Sequence, residues 1–151
     1  MPILEFKEFT ELKKQSKPIL GVDYGEKVIG VAVCDSRWVI ASPFVGIMNK
    51  KFTSSANEII KIMEEREAIG IVIGLPLSMD GSDNKICQSI RQFGKNITKI
   101  KDINIHFYDE RFSTSLAQQS LDHADISWDR KQQLIDKVAA GYILQRFIDK
   151  V

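Results

Sequence analysis

Long apolar runs are missing from this chain of 151 residues. No hydrophobic segment approaches the roughly 18 residues that a membrane-crossing helix needs. Cysteine is scarce. Cys34 and Cys87 stand far apart with no CxxC or Cys/His spacing, which argues against a structural zinc and favours two free thiols in a reducing compartment. Histidine occurs only at His106 and His123, and neither has a ligand partner at a metal-binding spacing. A charge excess of either sign is also lacking: 21 basic and 20 acidic residues leave a net +1. A globally basic surface is therefore excluded, and any nucleic-acid contact must come from a local patch. The segment Met1-Pro2-Ile3-Leu4-Glu5-Phe6-Lys7-Glu8 mixes acids into its apolar residues and has no small-residue cleavage site, so it is not expected to be a signal peptide. No local signature surrounds a serine or cysteine to mark it as a nucleophile.

What is present is an alternation of short β-rich runs and amphipathic stretches. Residues 3–15 carry Leu4, Phe6, Phe9 and Leu12 at helical spacing and are expected to form a helical extension, residues 1–17, before Pro18. A single domain over 18–151 follows. Strands are expected at about 18–24 and 28–35, with a third at Trp38-Val39-Ile40-Ala41 that stops before Pro43. A helix is expected over 55–67. The run Ala68-Ile69-Gly70-Ile71-Val72-Ile73-Gly74 has the continuous apolar character of a strand covered on both faces. A further helix is expected at about 83–99, a strand at 103–108, a short helix capped by Ser113-Thr114, and a last helix from Trp128 to Phe147. That order predicts an α/β fold with a mixed sheet, antiparallel at first and parallel later.

Three separated segments place carboxylates where they are costly or conspicuous. Asp23 interrupts the apolar run Ile19-Leu20-Gly21-Val22, and a buried carboxylate needs a compensating cation. Asp136 lies on the last helix. At about 100° per residue, Ala140 falls about 40° from it and Phe147 about 20°, so Asp136 faces along the apolar stripe. Asp109 and Glu110 end a predicted strand, where open α/β sheets collect ligands. Acids drawn together raise one another's pKa, and a divalent cation relieves the repulsion. Hard oxygen donors select Mg²⁺ or Mn²⁺ over zinc.

These residues resemble the YqgF (RuvX-like) family of Holliday junction resolvases and pre-16S rRNA nucleases, within the ribonuclease H-like superfamily. The resemblance runs from about Pro18 to Asp149. It rests on Gly21-Val22-Asp23-Tyr24-Gly25 with Gly30-Val31-Ala32-Val33, on Gly74-Leu75-Pro76-Leu77 with Met79-Asp80-Gly81, on Asp109-Glu110-Arg111 with Ser113-Thr114, and on Asp136 with Ala139-Ala140 and Ile143-Leu144. It implies a ribonuclease H-like sheet of five strands with helices on both faces, and a hydrolase that cuts nucleic-acid phosphodiesters with Mg²⁺ or Mn²⁺. It implies Asp23, Glu110 and Asp136 as the catalytic, metal-binding acids, with Asp109 the nearest competitor to Glu110. Arg111 and Thr114 would approach substrate phosphates or orient the acids. One departure is Val28, where the family often carries a basic residue.

Simpler readings stand beside these. Asp136 alone could be an early-helix acid, and Arg111 could pair with Asp109. Arg91, Lys95 and Lys99 recur every four residues, and such stripes are more often solvated helix faces than phosphate contacts. If functional, Arg91 and Lys95 would bind substrate. The leading expectation is a cytoplasmic, metal-dependent nuclease of structured nucleic acid, acting in maturation of pre-16S rRNA as a monomer or homodimer. The alternatives are a resolvase of branched DNA and a non-catalytic RNA-binding module on the same fold.

Overall fold

The computed structural model describes residues 3–78, 82–109 and 128–151, with the side chains of 128–133 excepted. The expected loop at Met79-Asp80-Gly81, the residues Glu110, Arg111 and Thr114, and the short helix after Ser113 lie outside the described residues. The sheet has five strands: β1 (Leu20–Tyr24), β2 (Val28–Cys34), β3 (Ala41–Met48), β4 (Gly70–Leu75) and β5 (Asn104–Asp109). Their spatial order is β3-β2-β1-β4-β5. β1 is antiparallel to β2, and β2 to β3. β1 is parallel to β4, and β4 to β5. The mixed sheet is thus the expected one.

Alternation along β1 and β2 sends side chains to two cores. Leu20, Val22, Ile29 and Val31 join a core with helices α2 (Phe52–Arg66) and α3 (Lys85–Ile100). Asn84 caps α3, its Oδ1 accepting from Cys87 N–H at 2.9 Å, which satisfies one of the orphan donors of the first turn. On the other face, Ile19, Ala32 and Val72 pack with Ala140, Ile143, Leu144 and Phe147 of the last helix, α4 (Trp128–Asp149).

Two expectations about the third strand need correction. The third strand begins at Ala41 rather than Trp38. Trp38 has φ 56° and its indole donates to Lys17 O at 2.8 Å, while Asp35 accepts from the backbone amides of Arg37, Val39 and Ile40. This turn occupies the residues expected to be strand. Pro43 does not stop the strand either. β3 is an edge strand, and its pairing shifts between Val31 and Ala32, so Val31 faces Val45 while Ala32 faces Pro43. Edge strands and bulges are where a sheet accommodates a residue with no N–H to donate.

The N-terminal helix is shorter than its periodicity suggested. α1 spans Phe6–Thr10 and passes into a 3₁₀ turn, Glu11–Gln15. Before it, Ile3 bridges to Ile105 in parallel and Leu4 N–H donates to Ile105 O at 2.7 Å. Phe9 is fully buried against Trp38 and Phe147.

Candidate functional site

The site begins at the carboxyl ends of three neighbouring strands. Val22 pairs with Ile73, so Asp23 stands beside Gly74. Gly74 in turn pairs with Tyr108, and Leu75 with Asp109. Asp23, Gly74 and Tyr108 therefore form one row across the sheet. The row faces α4, since Tyr108 packs edge-on to Phe147.

Asp23 is opposite Gly30 in the β1–β2 ladder, and residues directly opposite share a face. A Cβ on Gly30 would lie 1.9 Å from the carbonyl oxygen of Asp136 and 2.8 Å from Lys137 N. The backbone of α4 thus rests on the strand at the position facing Asp23. Gly21, two residues before Asp23 and on the same face, makes a second gap: its Cβ would meet Ala140 O at 2.9 Å. Glycine inside a strand often marks such close backbone approach. These two glycines let the backbone of α4 rest on the sheet, at Asp136 on the strand that pairs with the Asp23 strand. Asp136 is buried, with 7% of its surface exposed, and Asp23 is half-buried. The inward direction read from helical periodicity is therefore the observed one. Ala139 and Ala140 are both fully buried, and the carbonyl of Ala140 enters the space left by Gly21.

Asp109 occupies a different position. It is exposed and pairs with Leu75, whose side chain belongs to the α2–α3 core, as Phe107 does in part. By strand alternation Asp109 falls on that face, away from the row of Asp23. Glu110, Arg111 and Thr114 are outside the described residues. Among the described residues, no three His, Cys, Asp or Glu side chains gather closely enough to hold a metal ion.

The hairpin turn after Asp23 is braced by a residue that no motif singled out. Asn49 donates from Nδ2 to Gly25 O at 2.8 Å and from its backbone N–H to Lys27 O at 2.8 Å. Its Oδ1 accepts from Ser55 Oγ at 3.2 Å, and Ser55 is buried. Asn49 follows β3 directly, and only the pairing of β3 with β2 carries it to the turn, so local sequence holds no signal of this role. Val28 is 4% exposed and belongs to the core, leaving no cation at that position.

The basic stripe divides. Arg91 is half-exposed; its Nε lies 3.5 Å from Asp83 Oδ1, and its guanidinium carbon stands 5.7 Å from the centre of the Phe107 ring. Lys95, one turn on, is exposed and borders the same groove as Arg91 and Asp109. Lys99 is exposed too.

Three further titratable groups are buried. Burial pushes the Cys34 thiol up to about 11, so it stays protonated and unreactive near neutrality. Burial also raises Cys87, with the nearby Asp83 charge adding to it. His106 is held at 3.0 Å between Nδ1 and Leu4 O, and burial lowers its pKa although that hydrogen bond and Glu5 oppose the change.

A sheet in this order, three antiparallel strands continued by parallel ones and covered on both faces, is that of the ribonuclease H-like nucleases. The chain belongs to the RuvX family: the family model described as "RuvX: Holliday junction resolvase" matches residues 17–150. A relative from Ruegeria sp. (strain TM1040), described as a "Putative pre-16S rRNA nuclease", is 43% identical over 146 residues, 97% of this chain and 93% of that one. A relative of the same description from Caulobacter vibrioides (strain NA1000 / CB15N) is 42% identical and covers 100% of this chain and 98% of its own. That second match therefore extends through the first 17 residues as well. In three dimensions the Thermus thermophilus RuvC structure superimposes with a TM-score of 0.52 at 10% identity, over 88% of this chain and 95% of that one. The protein is a hydrolytic nuclease. No helix among the described residues is long and apolar enough to cross a membrane.

Proposed function

We propose that this nuclease cuts phosphodiester bonds of structured nucleic acid with Mg²⁺ or Mn²⁺, and that its physiological substrate is the precursor of 16S rRNA in the cytoplasm. The observation that carries the reading is the glycine-mediated contact that brings Asp136 against the strand pair holding Asp23. It gives a reason for two carboxylates to share one face at the carboxyl end of a sheet. The donors there are hard oxygens. The cysteines are buried in the cores, and His106 is committed to Leu4, so the chemistry of the donor set suits Mg²⁺ or Mn²⁺ and not a thiolate-bound metal.

Asp23 and Asp136 would hold the cation, with Glu110 as the third acid. Asp109 is the weaker candidate because alternation turns it toward the Phe107 face. A bound cation supplies charge for the departing oxygen and lowers the pKa of an attacking water. The protein's own part is to fix the carboxylates through β1 and α4 and to hold the hairpin turn through Asn49. Arg91, Lys95, Arg111 and Thr114 would contact phosphates, which positions substrate without reading sequence. The segment 1–17 is an extension packed onto the nuclease domain 18–151.

The names of the full-length relatives support the RNA substrate, and the family description makes branched DNA the second reading. The test incubates labelled pre-16S rRNA, single-stranded RNA and four-way DNA junctions with Mg²⁺, Mn²⁺ or EDTA, using the wild type and Asp23→Asn. The expected result is metal-dependent cleavage of the rRNA precursor that Asp23→Asn abolishes while its melting curve stays cooperative. Cleavage of junctions alone replaces the substrate. Binding with no cleavage under any condition makes the protein a non-catalytic module, and cleavage indifferent to Asp23→Asn removes the site.

A further inference from the structure

On the α3 side of the same sheet end lies a groove of about 400 Å³ that neither Asp23 nor Asp136 lines. Its two walls differ in chemistry. Arg91 and Lys95 of α3 make one wall cationic. Leu75 and Leu77, which lead out of β4, and Phe107 of β5 form an apolar floor, and Ile3 and Leu4 of the N-terminal segment close the far side. The guanidinium of Arg91 is held beside Phe107 and leans toward Asp83 through a long 3.5 Å contact. Two acids, Glu5 and Asp109, also border the groove. They disfavour an anion near them, so a phosphate is directed to the α3 wall.

The geometry points to a seat for one unpaired nucleotide of the substrate. An unpaired nucleotide has the same division as the groove, with an anionic phosphate on one side and a flat, largely apolar base on the other. Single strands are commonly held by cationic grooves that follow the backbone and by aromatic or apolar surfaces that take bases. A base inside a duplex keeps its faces in the stack and cannot enter. The groove and the acids share the carboxyl end of the sheet, although the groove floor faces α3 and the acids face α4. Leu75 pairs with Asp109, Gly74 stands beside Asp23, and neighbouring strands are about 4.8 Å apart. A substrate strand seated in the groove would reach the acids round this end of the sheet. Its far wall comes from residues before 17, outside the matched span of the family model. The inference rests on the nuclease reading for its substrate and adds to it a preference for a single-stranded flank next to a helical region.

Fluorescence anisotropy in EDTA, where no cleavage occurs, tests the seat. The ligands are an RNA duplex with a short single-stranded flank, the same duplex blunt-ended, and the flanked duplex with abasic flank nucleotides. Stacking of a base is worth about 1–3 kcal/mol, so the expected preference for the flanked over the blunt duplex is about tenfold. Leu77→Ala and Lys95→Gln, each checked for an intact melting transition, are expected to bring that ratio close to one, and abasic nucleotides to do the same in the wild type. Equal binding of flanked and blunt duplexes overturns the proposal. So does an unchanged preference with abasic nucleotides, which reduces the groove to a phosphate patch, or displacement of the flank by an acidic peptide and not by free single-stranded RNA. The readout needs no catalysis. An inactive protein that prefers the flank supports the seat, and an active one without the preference overturns it.

Discussion

Gly30 shows how one residue's missing side chain shapes the proposed site. Its absent Cβ is the space that the Asp136 carbonyl enters, at 1.9 Å from where that carbon would be. Real Cβ atoms do not tolerate such a distance, so Gly30→Ala must move α4 away from the sheet. Overpacking of this kind costs about 1–3 kcal/mol, and here the displaced atoms are backbone, which cannot rotate away. The expected outcome is a folded protein with a lowered melting temperature, nuclease activity reduced well beyond the loss of stability, and a need for more Mg²⁺ to reach half-maximal rate. A variant with unchanged metal dependence would show that Asp136 does not need this contact. The same residue marks a limit of sequence reading. Period 3.6 was enough to turn Asp136 inward, because angle is a local property of a helix. That a glycine on β2 receives it depends on how a helix about 100 residues away docks, and chain order alone does not state that.

Among the elements, β1, β2 and β4 were legible because apolar runs bounded by glycine and polar turns fit few other structures. β3 was misplaced by one strong local signal, Pro43, which a bulge on an edge strand absorbs. The helix at 3–15 was legible as apolar spacing, but its length was not, since Leu4 is taken into a backbone bond with Ile105 and only Phe6–Thr10 remains α-helical. Which face Asp109 takes depends on the exact register of β5 against β4, and a register shift of one residue exchanges the faces of the whole strand. The N-terminal segment also gives a prediction at this scale. Phe9 is fully buried among Trp38, His106 and Phe147, so it fastens α1 to the core of α4. Removing such a ring costs about 3–5 kcal/mol. Phe9→Ala is expected to lower the denaturant midpoint strongly, whereas an exposed change on the same helix, Lys7→Ala, is expected to leave it nearly unmoved. Equal small effects in urea titrations would mean that the segment contributes nothing to the fold.

For the whole molecule, a net charge of +1 at pH 7 keeps general repulsion small near neutrality, so the first losses of stability on mild acidification come from particular groups. His106 has its pKa lowered from 6.5, chiefly by burial. The unfolded chain therefore binds this proton more readily than the folded one. Stability contributed by a neutral His106 is complete above about pH 6.5 and is lost as the pH falls from there toward the folded value. Asp35 acts further down. Burial would raise its carboxyl, but the amides of Ile40, Val39 and Arg37 outweigh that and hold it below 3.8, so its contribution is present above about pH 3.8 and disappears as the pH drops through the folded value. The two windows separate on the pH axis, which makes the first assignable. Melting temperatures of the wild type are expected to fall between pH 7 and pH 5. His106→Phe keeps a ring among Phe6, Phe9 and Phe147 but cannot titrate, so it is expected to melt lower at pH 7, having lost the bond to Leu4, and to change less on acidification. Parallel pH curves for the two proteins would assign the acid sensitivity to the carboxylates and leave His106 as a packing residue only.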